Sequence, residues 1–160
     1  MSISVLARQL MSQEIFRGLR PLQLTEIVRQ AERIVYGPGD TIVEAGAAGD
    51  AAVLIVSGDA VRLVDGEPAF GLNTERVGAG SLLSELAMLV EHEHGATVVA
   101  HTTVRALRIT RAGLKAQMLE DPDLASHFVD RITDRLSRVA DELRRIDHAL
   151  ASAERIPSPA

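Results

Sequence analysis

Histidines, carboxylates and hydroxyls mark out the chemistry open to this chain. Three of its five histidines, His92, His94 and His101, lie close together. His92-Glu93-His94 alternates, so on a strand both rings would stand on one face and could share a metal, with His101 as a third donor. Glu85 stands in Ser81-Leu82-Leu83-Ser84-Glu85-Leu86-Ala87-Met88-Leu89-Val90. A carboxylate there is favoured by the dipole of a helix start, whatever else it does. Nucleophilic catalysis has little to work with. There is no cysteine, no serine lies in Gly-x-Ser-x-Gly, and no oxyanion loop is recognisable. The chain is expected not to be an enzyme.

Charge and composition narrow the partners. Lys plus Arg number 17 against 22 Asp plus Glu, a net charge of −5, and the aromatics are only Phe16, Tyr36, Phe70 and Phe128. Neither a basic face nor a row of stacking aromatics is present, so direct nucleic-acid binding is not expected. The opening Met1 to Gln9 lacks the charged-then-apolar order of a signal peptide, and no apolar run approaches the roughly 20 residues needed to cross a bilayer. A cytoplasmic location with no membrane partner is expected. With 46% hydrophobic and 24% charged residues in 160, one domain with a real core is predicted.

The elements that must position these side chains follow from periodicity. Val5, Leu6, Leu10 and Ile15, then Leu24, Ile27, Val28 and Ala31, predict two short helices, with Pro21 opening the second. From residue 32 the period changes. Turn signals stand at Gly37 to Asp40, Gly46 to Asp50, Ser57 to Asp59, Asp65 to Pro68 and Gly78 to Gly80, the beat of an antiparallel roll. Between them, Thr41 to Val43, Ala52 to Val56, Ala60 to Val64, Ala96 to Ala100 and Val104 to Ile109 read as strands. Ser81 to Val90 breaks the pattern, since its leucines fall at helical spacing and predict a helix set between strands. Thr110 caps one later helix, and Asp121 before Pro122 starts another. In that last helix Val129, Ile132, Leu136, Val139, Leu143, Ile146 and Leu150 step by three and four, a three-heptad seam that predicts a homodimer.

This order of elements resembles the cyclic-nucleotide-binding domain of catabolite-activator-type regulators, cyclic-nucleotide-dependent kinases and gated channels. The residues that carry the resemblance are Ile15-Phe16-Arg17-Gly18-Leu19, Gly37-Pro38-Gly39-Asp40-Thr41-Ile42, Gly46, Ala52 to Gly58, and Val77 to Leu89. The last of these resembles the family's phosphate-binding cassette, Gly-Glu-Leu-Ala-Leu, a short loop, then Pro-Arg-Ala-Ala-Thr-Val. The resemblance implies that a helix start receives the phosphate, that Glu85 accepts from a ribose 2′-hydroxyl, and that an arginine forks onto the phosphate. Leu86-Ala87 and Ala96-Thr97-Val98 match. Ser84 stands where the pattern has Gly, Glu93 where it has Pro, and His94 where kinase-type cassettes have Arg. In catabolite-activator-type members, adjacent hydroxyl residues of the long helix touch adenine; their positions fall on Val139 and Ala140, which cannot donate. His92-Glu93-His94 also resembles the metal site of cupins, but the glutamate of that class is missing after Gly95. No metal and no cofactor is expected.

The implied fold class is α+β, an antiparallel β-roll of jelly-roll-like type. Helices occupy 1–31, the roll 32–110 with a cassette segment and inserted helix at 80–100, C-terminal helices 111–155 including a long dimerisation helix, and a disordered tail 156–160. The implied ligand site is Ser84, Glu85, Leu86, His94, Gly95, Ala96 and Thr97. The expected function is a stand-alone, non-enzymatic regulatory sensor of cyclic nucleotide that acts through a partner protein the residues do not name. The alternative is a ligand-free barrel serving as a dimeric adaptor. Catabolite-activator relatives carry a helix-turn-helix domain after the long helix, whereas this chain stops at Ala160, which also speaks against direct DNA binding.

Overall fold

Two apolar strands, Ala51–Ser57 and Val104–Thr110, organise the molecule because each is buried on both faces. The computed structural model describes residues 1–63 and 74–154. Within them the strands are β1 Glu32–Tyr36, β2 Thr41–Val43, β3 Ala48–Gly49, β4 Ala51–Ser57, β5 Ala60–Leu63, β6 Thr74–Val77, β7 Leu82–Leu83, β8 His92–Glu93, β9 Thr97–Ala100 and β10 Val104–Thr110. They form two antiparallel four-stranded sheets, β1-β10-β4-β7 and β2-β9-β5-β6, and a two-stranded β3-β8 ladder. No closed barrel forms among the described residues.

Alternation along β4 and β10 divides the interior in two. Ala52, Leu54, Val56, Leu107 and Ile109 face one apolar cluster, completed by helical residues such as Leu10, Phe16, Leu24 and Phe128. Val53, Ile55, Val104 and Ala106 face the other, completed by Val43, Val77 and Val98 of the opposite sheet. Side chains that alternate in this way are the product of a period of two. At the β4–β5 turn Gly58 has φ +96°, and a Cβ there would stand 2.2 Å from the Thr103 carbonyl oxygen. Only glycine fits.

The helices are α1 Ile3–Met11, α2 Pro21–Gln30, α3 Arg111–Glu120 and α4 Pro122–Glu154, with a 3-10 turn at Glu14–Phe16. Ser2 caps α1 and Pro21 is the first residue of α2. Thr110 caps α3, its hydroxyl accepting from the Gly113 N–H at 3.1 Å. Asp121 caps α4 through the Leu124 N–H at 3.3 Å and accepts from Gln23 Nε2 at 3.0 Å. These bonds hold its carboxyl below the usual range, the Gln23 bond foremost. At 33 residues, α4 is about 50 Å long. Phe128 near its base meets Phe16 edge-to-face at 6.0 Å.

The helix expected over Ser81 to Val90 needs correction. Leu82 and Leu83 are strand, Ser84 is left-handed at φ 53°, and only Glu85–Met88 forms a 3-10 turn. One left-handed residue ends the strand and redirects the chain, so the five apolar side chains never share a helical face. The turn expected at Asp65 to Pro68, the end of the strand read to Val64, and the tail at 156–160 lie outside the described residues.

Candidate ligand-binding site

The site is built where β7 stops. Ser84 is the sole non-glycine residue with positive φ among the described residues, a conformation that costs a side chain on the order of 1–2 kcal/mol. The 3-10 turn that follows is anchored from beneath by Ala87 and Met88, both fully buried. That leaves Ser84, Glu85 and Leu86 half-buried at the surface of the fold.

Ser84 has a partner that compensates its strain. Its Oγ lies 2.6 Å from His94 Nδ1, so the two residues that depart from the family's Gly and Arg touch each other. His94 is further fixed by its backbone: its N–H donates to the Ala47 carbonyl at 3.0 Å, and its carbonyl accepts from the Gly46 N–H at 2.9 Å. The imidazole edge rests against Gly49, where a Cβ would stand 2.6 Å from His94 Cε1 and 3.0 Å from the Ala87 Cβ. Gly49 is therefore glycine for space. Partial burial, and then the charge of His92, hold His94 below the usual histidine value of 6.5, with Asp50 opposing. Asp50 is itself engaged by Arg108, which also bonds Glu32 at 2.9 Å. At neutral pH the ring is uncharged.

Glu85 turns the other way. Its Oε1 is 2.6 Å from Arg135 Nη1 of α4, with both side chains about one-third exposed at 34% and 35%. The same side of α4 grips the N-terminal segment: His127 Nε2 meets the Ile15 carbonyl at 2.8 Å, Arg131 donates to the Arg17 carbonyl, and Arg138 lies 3.5 Å from Glu14. Thr97 turns to a third partner, its hydroxyl accepting from the Ala45 N–H at 2.9 Å. Gly95 is exposed and a Cβ there would meet nothing within 4 Å. Ala96 is half-buried. The seven expected residues thus divide, with Ser84 joined to His94, Glu85 to the long helix, and Thr97 to the Ala45 backbone.

Gly49 and Arg135 were not among the expected site residues, and nothing local marks either one. The metal reading finds no support in geometry: no group of three or more His, Asp or Glu able to hold an ion occurs among the described residues. Nor is any helix among them long and apolar enough to cross a membrane. The seam residues Val129, Leu136, Val139, Leu143, Ile146 and Leu150 are all solvent-facing, with Leu136 63% exposed, and Ile132 is half-buried.

The family model described as cyclic nucleotide-binding domain matches residues 33–121. Over 105 residues the chain is 34% identical to the cAMP-dependent protein kinase regulatory subunit of Aspergillus fumigatus, covering 63% of this chain and 24% of that protein. Over 130 residues it is 23% identical to the CRP-like cAMP-activated global transcriptional regulator of Mycobacterium tuberculosis, covering 81% of this chain and 58% of that protein. The chain therefore spans about a quarter of the kinase subunit and somewhat over half of the regulator. Among solved structures, the N-terminal domain of a Streptomyces coelicolor transcriptional regulator superposes with a TM-score of 0.74 at 23% identity, covering 84% of this chain and 94% of that one. That likeness is one of fold.

Proposed function

The chain belongs to the cyclic nucleotide-binding domain family, and on that premise we propose that it is a non-enzymatic regulatory sensor of a cyclic nucleotide. The names of both curated relatives speak of cAMP. In this reading the ligand occupies the cassette of Ser84, Glu85, Leu86, His94, Gly95, Ala96 and Thr97. Its ribose hydroxyl competes with Arg135 for Glu85, so binding loosens α4 and a partner protein reads the change.

The observation that carries the proposal is the geometry at 84–88. A left-handed residue is followed at once by a short turn that presents Glu85 beside the long helix. A carboxylate whose ion pair reaches across to another element can couple occupancy of a site to the position of that element. The exposed seam of Val129, Leu136, Val139, Leu143, Ile146 and Leu150 on the same helix supports a homodimer as the signalling unit.

Calorimetric titration with cyclic AMP, cyclic GMP and cyclic dinucleotides tests the proposal. Saturable micromolar binding of one of them is expected. Flat traces for all would overturn it in favour of a ligand-free dimeric adaptor. That second reading has its own support: Ser84, Glu85, His94 and Thr97 already satisfy one another or their neighbours.

A further inference from the structure

We propose that a cleft between α1 and the outer edge of the β1–β10 pair binds a single-chain anionic amphiphile of the fatty-acid carboxylate class, at a site separate from the cassette. The cleft is open to solvent on one side and offers about 290 Å³, room for about ten water- or methylene-sized groups. Leu6, Val56 and Leu107 line its interior, and all three belong to the apolar core. Its rim carries Arg33, Arg105 and Val35, the last 56% exposed.

The arginines specify the charge of the occupant. In the strand register Arg33 lies opposite Leu107 and Val35 opposite Arg105. The two arginines therefore stand diagonally on one face of the sheet, about 7–8 Å apart, and no Asp or Glu lines the cleft. This departs from the rest of the chain, which carries a net charge of −5. Elsewhere eight arginines, Arg62, Arg108 and Arg135 among them, pair with carboxylates, while Arg8, Arg17, Arg76, Arg111 and Arg131 are without such a pair among the described residues. The Arg105 side chain has no hydrogen bond or ion pair among the described residues, and the Arg33 side chain donates to the Met1 carbonyl at 2.8 Å.

Two like charges beside an apolar hollow repel each other and keep water over Val35. A carboxylate between the guanidiniums relieves the repulsion through charge-assisted bonds. Its alkyl chain covers Val35 and extends toward Leu6, Val56 and Leu107. A neutral alcohol of equal length makes only the apolar contacts.

Decanoate and decanol, each kept below its aggregation limit, are titrated into the full chain by calorimetry and by methyl NMR, with phosphatidylglycerol vesicles as a separate arm. Decanoate is expected to saturate one site, to shift the Leu6, Val56 and Leu107 methyl signals, and to bind at least tenfold tighter than decanol. Arg105→Gln and Arg33→Gln, checked for unchanged circular dichroism, should each weaken decanoate binding at least threefold, and Arg105→Lys should restore part of it. Equal affinity for decanoate and decanol, shifts confined to other methyls, indifference to Arg105→Gln, or binding to vesicles alone would each overturn the proposal.

Discussion

On the proposed reading, replacing Ser84 by Gly and His94 by Arg together should strengthen cyclic-nucleotide binding. The pair lies 2.6 Å apart, so the two positions form one unit. A desolvated charge-assisted contact to a phosphate is worth on the order of 2–5 kcal/mol. Because His94 is only half-buried, the lower end applies, about 2 kcal/mol or roughly thirtyfold in affinity. The cost to stability nearly cancels. Ser84→Gly relieves about 1 kcal/mol of left-handed strain, while the lost Ser84 to His94 bond removes about the same amount. Calorimetry with cyclic AMP on the wild type, both single variants and the double variant measures the outcome. The double variant should gain about thirtyfold, and the single changes should not add up to it, since each alone leaves the other residue mismatched. A folded double variant whose affinity stays within threefold of the wild type would refute the placement of the phosphate at these residues.

Four further outcomes follow from the same geometry. Arg135→Ala should strengthen cyclic-nucleotide binding about two- to fivefold and cost less than about 1 kcal/mol in urea unfolding, the range of a partly exposed ion pair; weaker binding would show that Arg135 supports the ligand and does not compete with it. His94 is harder to protonate in the folded chain than in the unfolded one, so stability should fall as pH drops through about 6.5 and level off below the folded value. In His94→Gln that fall should shrink, and an unchanged pH profile of unfolding would assign it to other groups. Gly58→Ala should cost about 2–4 kcal/mol by denaturant unfolding, since left-handed strain adds to a backbone clash; a loss under about 1 kcal/mol would mean the turn reshapes freely. Placing Glu at both Leu143 and Ile146 should turn a dimer into a monomer in sedimentation velocity, at little cost to the fold of the monomer itself. A wild type that sediments as a monomer at tens of micromolar, or a double variant that stays dimeric, would exclude pairing through α4.

The fold was legible where one physical pattern dominated. Ala52 to Val56 reads as a strand because an apolar run between Asp50 and Gly58 leaves few other states, and Val104 to Ile109 because apolar and basic residues alternate along it; these are the strands buried on both faces. Glu32–Tyr36 was not read as a strand, since Glu32 and Arg33 mask the alternation that pairs it with β10. Two-residue strands such as Ala48–Gly49 and His92–Glu93 are too short to show a period. The leucines from Leu82 to Leu89 misled for a different reason, because periodicity is blind to a single left-handed residue at Ser84. The departures at Ser84 and His94 were each visible in the sequence as a loss. Their contact was not, because it depends on the turn at 85–88 and on the room left by Gly49. Nor does anything near Arg135 announce Glu85 as its partner.

The separation between core and site explains why the two could diverge. Leu54, Leu107, Phe16 and Phe128 lie in the apolar cluster that joins helices to sheet, and burying each large apolar side chain contributes about 1.5–3 kcal/mol. A half-exposed hydrogen bond such as that between Ser84 and His94 contributes about 1 kcal/mol, a small fraction of that total. Changes at the cassette therefore leave the roll intact, provided that the strained backbone at 84 keeps a partner. A serine there without a hydrogen-bonding neighbour would bear its left-handed strain unrelieved, and His94 without Ser84 would lose one of the few polar groups fixing its ring. Each substitution makes the other tolerable. On the proposed reading the ligand question turns on four side chains at positions 84, 85, 94 and 135, none of which belongs to the two apolar clusters that hold the strands together.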